Sequence, residues 1–232
     1  MPRRHFYLFI SVLIAAGTWS AHPAQSQDGG TRVKDAVQHA REGTQAYPFR
    51  NKVQYILNEL DLRAGDVVVD IGAGDGWWTE YFAKEVGETG IVHALEVEEK
   101  KVEKLKEKFS DVPQVKPYLG KAGSPGLPEN SCDITFFAQV YHHLNLNTEV
   151  DYLRELRTVV RPMGRLCIIE KEPAIATRSR PHGTPLSRLI KQAEEAGWIL
   201  VRYELLTGTY HYLAIFVQKD LFPPEPIPKK KQ

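Results

Sequence analysis

The chain has 232 residues, 42% hydrophobic and 25% charged, with a formal net charge of +1. That length holds one α/β domain with appendages, and the balanced charge excludes the broad basic field by which nucleic-acid binders attract phosphate. Only two cysteines occur, Cys132 and Cys167, both inside apolar runs, which excludes a disulfide framework or a cysteine-rich zinc site and predicts two buried thiols.

Arg3, Arg4 and His5 precede an apolar run over residues 6–16, and small residues then lead to Ala24-Gln25-Ser26. Basic, apolar and small regions in this order are the pattern of a secretory signal, expected over residues 1–26 with cleavage before Gln27. Export to the periplasm or beyond is therefore expected. The run is shorter than the roughly 20 residues that a membrane span needs, so no stable span is expected after cleavage, and an uncleaved anchor is the alternative. Residues 27–62 read as a linker around Asp28-Gly29-Gly30 followed by helices at 33–41 and 50–60, parted by Tyr47-Pro48. Val53, Ile56, Leu57 and Leu60 share one face of the second helix.

From residue 63 the pattern changes. Val67-Val68-Val69-Asp70-Ile71 is a continuous, mostly β-branched run, as in a strand buried on both faces. A glycine-rich loop follows, then a helix over 77–85, a strand over 91–95 ending at Glu96, and a helix over 97–109 with Val102, Leu105 and Phe109 inward. Strands are expected at 115–119 and 133–138, a helix at 147–160, a turn at Pro162-Met163-Gly164 and a strand at 165–170. A helix over 185–196 is closed by Gly197. The last strands, 199–205 and 210–218, are joined by four residues, too few for a helix, so they pair antiparallel. The expected domain spans 63–219, with a proline- and lysine-rich tail over 220–232. Alternating strands and helices give a doubly wound, mostly parallel, Rossmann-like α/β sheet with a C-terminal antiparallel hairpin.

In such sheets ligands bind beyond the carboxyl ends of the strands. The loop Gly72-Ala73-Gly74-Asp75-Gly76 lies there. Glycines let backbone approach a ligand closely, and the following helix offers free N–H groups. Glu96, about 20 residues after Gly76, stands where an acidic residue accepts hydrogen bonds from ribose hydroxyls. The spacing Gly72-x-Gly74-x-Gly76, followed by Trp77 and Trp78, misses the dinucleotide fingerprint by one residue.

Val69-Asp70-Ile71-Gly72-Ala73-Gly74-Asp75-Gly76 resembles the first motif of class I S-adenosylmethionine-dependent methyltransferases. Gly90 to Glu96 is similar to the second motif of that family. Leu127-Pro128-Glu129-Asn130-Ser131-Cys132-Asp133 resembles its approach to the fourth strand, and Val159 to Leu166 its turn before the fifth. Val140-Tyr141-His142-His143-Leu144 further resembles a small-molecule subgroup, some members of which look exported, near the ubiquinone-biosynthesis type.

The resemblance implies seven strands in the order 3-2-1-4-5-7-6, with only the seventh antiparallel. It implies S-adenosylmethionine as cofactor and a small-molecule methyl acceptor. Asp70, Gly72, Ala73, Gly74, Gly76, Glu96 and Gln139 become the cofactor residues, with the glycines toward the methionyl part and Glu96 toward the ribose. One departure stands out: Gly120-Lys121-Ala122-Gly123-Ser124 offers no carboxylate where many relatives bind the adenine amino group. No Asn/Asp-Pro-Pro-Tyr/Phe tetrapeptide follows the fourth strand, which argues against methylation of DNA bases, as does the low charge.

Asp70 either touches ligand or orients the loop by accepting its N–H groups. Trp77 and Trp78 read as packing residues. His142 and His143 are the candidate catalytic pair at the rim, since imidazole suits a general base, although packing is the other reading and adjacent side chains diverge. A metal site from His142, His143 and His182 is not expected. Tyr141, Tyr47 and Phe49 either line the acceptor pocket or join the core, and Glu170 and Glu172 are expected as solvated carboxylates. Two other functions remain open: a non-catalytic exported binding module that keeps the fold, and a nicotinamide oxidoreductase.

Overall fold

The computed structural model describes residues 48–121, 123–144, 148–175 and 183–222, all within the compact unit Gly43–Gln232. The expected signal, the helix at 33–41, Tyr47, His182 and most of the tail lie outside the described residues.

Seven strands form one sheet: β1 (Val67–Ile71), β2 (Ile91–Glu96), β3 (Val115–Leu119), β4 (Cys132–Ala138), β5 (Val160–Lys171), β6 (Trp198–Leu205) and β7 (His211–Gln218). Their order is β3-β2-β1-β4-β5-β7-β6. The pairs from β3 through β5 are parallel, and β7 runs antiparallel to both β5 and β6. This is the expected sheet. Its helices are α1 (Val53–Leu60), α2 (Trp77–Val86), α3 (Glu99–Lys108), α4 (Glu149–Val159) and α5 (Leu186–Glu195).

The β-branched run at β1 is explained by burial on both faces. Val68 joins Ile56, Leu60, Phe82, Val86 and Leu105 from α1, α2 and α3 on one side. Val69 and Ile71 join Leu153, Leu156, Leu189 and Ala193 from α4 and α5 on the other. A strand sandwiched between helix layers has no solvent side, so alternation disappears.

Two boundaries differ most from expectation. The helix expected from residue 50 begins as a 3₁₀ turn, Pro48–Lys52, before α1. The turn expected at Pro162-Met163-Gly164 lies inside β5, because α4 passes directly into extended backbone at Val160. Val160 pairs with Cys132, and a bulge between Cys132 and Ile134 absorbs the offset. Arg161 closes the junction through an ion pair with Asp133. Cys132 and Cys167 are free and buried, and burial pushes both thiols up to about 12. No helix among the described residues is long and apolar enough to cross a membrane.

The register brings the carboxyl ends of the central strands to one edge. Ile71 pairs with both Leu95 and Phe137, and Ala138 pairs with Ile169. Gly72, Glu96, Gln139 and Glu170, each at or just beyond these positions, therefore share a rim.

Candidate active site

The glycine loop is tied to β2 by its own backbone. Gly72 and Ala73 both donate N–H to the Leu95 carbonyl, at 2.9 and 3.0 Å, and Gly76 donates to the Ala73 carbonyl at 2.9 Å. Gly72, Gly74 and Gly76 have φ of +71°, +61° and +75°. A Cβ on Gly72 would sit 2.6 Å from a Val140 methyl, and one on Gly76 would sit 2.6 Å from the Phe109 ring. At these two positions any side chain would collide with the protein itself. A Cβ on Gly74 would meet nothing closer than the Gly72 carbonyl at 3.9 Å, so this glycine faces open space.

Glu96 ends β2 as a buried carboxylate, 5% exposed. Its Oε1 accepts the Gly74 N–H at 2.7 Å and its Oε2 accepts the Val97 N–H at 3.1 Å. Lys101 Nζ lies 4.0 Å from Oε1. A carboxylate has about four acceptor positions, so capacity remains for ribose hydroxyls.

Asp70 lies behind the loop. It is buried and accepts Thr79 Oγ1 at 2.6 Å, tying β1 to the first turn of α2. Burial pushes its carboxyl up to about 7, with the Thr79 hydrogen bonds opposing. Ala73 belongs to the core cluster on the same face. Asp70 thus holds α2 and accepts none of the loop hydrogen bonds described above, and Ala73 packs into the core. Trp78 is buried as expected, whereas Trp77 is half-buried under the Arg50 guanidinium, 4.4 Å from its ring centroid. Phe49 is core, stacked 6.3 Å from Trp78 and edge-on to His211 at 4.7 Å.

Gln139 follows β4 with φ +61°, a conformation that side-chain-bearing residues rarely adopt. Its N–H donates to the Ile169 carbonyl at 2.9 Å. Its side-chain Nε2 is buried and has no hydrogen-bond partner among the described residues. Strained backbone and an orphaned donor at the loop rim together point to a ligand.

The largest correction concerns Glu170. Expected as a solvated carboxylate, it is fully buried, and both of its oxygens meet His142 Nδ1, at 2.9 and 3.0 Å. It also accepts the His142 and Lys171 N–H groups at 3.3 Å. The reason lies in β5, whose alternation turns residue 170 beneath the turn that carries His142, in the layer shared with Tyr141. Glu172, by contrast, is half-buried and accepts the Leu186 N–H at 2.9 Å, bracing the approach to α5.

His142 and His143, expected to diverge, lie with their rings close together and differ in exposure and partners. The His142 side chain is 14% exposed and held by Glu170, whereas His143 is exposed, its ring 4.1 Å from that of His142. Tyr141 is fully buried, and its hydroxyl donates to Gln192 Oε1 at 3.1 Å. Gln192 in turn donates to Glu149, whose two oxygens accept Arg188 Nη2 at 2.9 Å. This network joins α4 and α5 and fixes the turn that presents His142. No group of three metal-ligating side chains occurs among the described residues.

Beyond β3, Lys121 pairs with Ser124 in an isolated bridge, and the Ser124 hydroxyl donates to Glu155 of α4. The acidic residue near this position therefore belongs to α4 and is engaged with serine.

Residues 68–164 match the family profile described as a methyltransferase domain. The crystal structure of an S-adenosylmethionine-dependent methyltransferase from Aquifex aeolicus superposes with a TM-score of 0.65 and 27% identity, covering 71% of this chain and 88% of that one. Among curated relatives, the ubiquinone/menaquinone biosynthesis C-methyltransferase UbiE of Paraburkholderia xenovorans is 26% identical over 163 residues, 69% of this chain and 63% of that one. An uncharacterized 37.1 kDa transposon protein of Streptomyces fradiae is 28% identical over 140 residues, 60% of this chain and 40% of that one. The chain thus spans less than two thirds of either curated relative. The matched segment is similar to methyltransferase domains, and the solved neighbour uses S-adenosylmethionine. The residues present fit it: an open Gly74, a carboxylate at the ribose position and an unpartnered Gln139 amide surround one rim.

Proposed function

We propose that the protein is an S-adenosylmethionine-dependent methyltransferase acting on a small-molecule acceptor. The observation that carries this reading is the open face of Gly74 beside Glu96, the one loop glycine whose missing side chain leaves room for a ligand. Glu96 would hold the ribose hydroxyls, and the loop with Gln139 would hold the methionyl part. When bound, the cofactor supplies a methyl group on a sulfonium, an already activated leaving group. The protein's share is then to align the acceptor and exclude water, which is where most of the rate gain of such a reaction originates.

The balanced charge and the absence of the DNA-base tetrapeptide support a small acceptor. A relative named for ubiquinone and menaquinone biosynthesis supports the same class. Export is our reading of residues 1–26 alone, and fractionation of the tagged full chain tests it: a purely cytosolic pool would overturn it. Calorimetric titration with S-adenosylmethionine and S-adenosylhomocysteine tests the enzymatic reading. Saturable binding of both is expected.

A further inference from the structure

The His142–Glu170 pair has the form of a base with its orienting group. Glu170 is fully buried, and among the described residues its hydrogen-bond partners are the His142 ring, the His142 N–H and the Lys171 N–H. An ionised carboxylate only accepts, so the proton of a neutral His142 ring resides on Nδ1 and the lone pair on Nε2. From β7, Tyr212 is held neutral, its hydroxyl pushed up by burial and then by Glu170 and Glu172, while it donates to the Thr184 carbonyl at 2.7 Å. Tyr141, on the same turn, is pushed up by burial and by Glu149. The His143 ring lies tilted against that of His142.

The pair also lies next to the cofactor loop. Val140, two residues before His142, fills the space above Gly72 so closely that a single added carbon would collide with it. Gln139, three residues before, carries the strained backbone and the orphaned amide. A buried carboxylate is costly unless its partner gives it work. Here its partner is the one partly exposed imidazole of the rim whose orientation it fixes.

We propose that His142 is the general base of methyl transfer and that Glu170 is its positioning residue, so that the acceptor arrives with a proton on its nucleophilic atom, as a hydroxyl, a phenol or an activated carbon acid. This rests on the methyltransferase reading above. The acceptor's X–H bond would break and its proton pass to Nε2, while the electron pair left on X forms the bond to the methyl group and the methyl–sulfur bond breaks with its pair kept by sulfur. The resulting imidazolium is stabilised by Glu170 until Nε2 returns the proton to water. Tertiary amines and thioethers carry no such proton and would gain nothing from this pair.

The test uses the full chain and two variants, His142→Gln and Glu170→Gln. Titration with S-adenosylhomocysteine comes first. Affinity within about twofold of wild type in both variants is expected and shows an intact fold. Failure of the wild-type chain to bind would instead overturn the methyltransferase reading itself. Nitrogen-labelled histidine spectra should show His142 with its proton on Nδ1, a preference that Glu170→Gln should weaken. The opposite tautomer, or a preference unmoved in Glu170→Gln, would overturn the pairing. Methylation of phenol, catechol and hydroquinone is then compared with that of trimethylamine and dimethyl sulfide. Turnover of the hydroxyl probes, lost at least 100-fold in His142→Gln with KM little changed, is expected. Transfer to the protonless probes, to none of the hydroxyl probes, or undiminished transfer in His142→Gln would overturn the acceptor class.

Discussion

Glu96 accepts the Gly74 N–H at 2.7 Å, so the acid that ends β2 and the open glycine of the loop form one unit. The carboxylate shapes the loop and keeps acceptor positions to spare, which under the proposed function serve the ribose hydroxyls. Replacing Glu96 with Ala should weaken S-adenosylhomocysteine binding by about 10- to 100-fold, the size of one or two charge-assisted hydrogen bonds. Calorimetry of the folded variant checks this, and unchanged affinity would place the ribose elsewhere.

Gly72 and Gly74 should fail differently. A methyl group on Gly72 meets Val140 at 2.6 Å, so Gly72→Ala should cost stability, about 2 kcal/mol or more once the left-handed backbone is included. Gly74→Val meets little protein and should fold, but its side chain fills the cofactor's space and should abolish binding. Denaturation and calorimetry on the two variants separate these outcomes. A Gly74→Val chain with wild-type affinity would remove the loop from the site.

Gln139 is held in the left-handed region with an unpartnered buried amide, a cost the fold tolerates for a ligand. Gln139→Gly removes both the strain and the orphaned group. It should raise stability by about 1 kcal/mol while weakening cofactor binding. Paired melting and titration curves test this, and a stabilised variant with full affinity would mark Gln139 as structural.

Asp70 and His211 oppose each other in pH dependence. Burial, then Lys171, pushes His211 down to about 4. Between its ordinary value and that value only the unfolded chain takes the proton, so stability is full above about pH 6.5 and is lost as pH falls through 4. Asp70, raised by burial to about 7, contributes stability that is full below its ordinary value of 3.8 and is lost as pH rises through 7. Asp70→Asn leaves the His211 slope unopposed. Its stability difference between pH 7 and pH 5 should exceed that of the wild type by about 2 kcal/mol in urea denaturation. Equal differences in the two chains would contradict the buried, protonated Asp70.

The sheet was legible because its signals are local. β-branched burial at Val67–Ile71, turn glycines and the short link between β6 and β7 each act within a few residues. The loop and Glu96 were legible for the same reason, through spacing along one βαβ unit. Glu170 was not, because its burial depends on β5 lying next to β4, which brings residue 170 to residue 142 across 28 positions. The Tyr141–Gln192–Glu149–Arg188 network was hidden likewise, since it spans two helices. Gln139 carried no signal of strain, because a left-handed glutamine looks like any other glutamine in sequence.

For an exported methyltransferase, cofactor supply is the central question, and the rival reading is a fold kept as a binding module. One measurement addresses the account most directly: calorimetric titration of the purified full chain with S-adenosylmethionine and S-adenosylhomocysteine. The account predicts saturable, one-to-one binding of both, lost in Gly74→Val. Absence of heat for either ligand at millimolar concentration would contradict it.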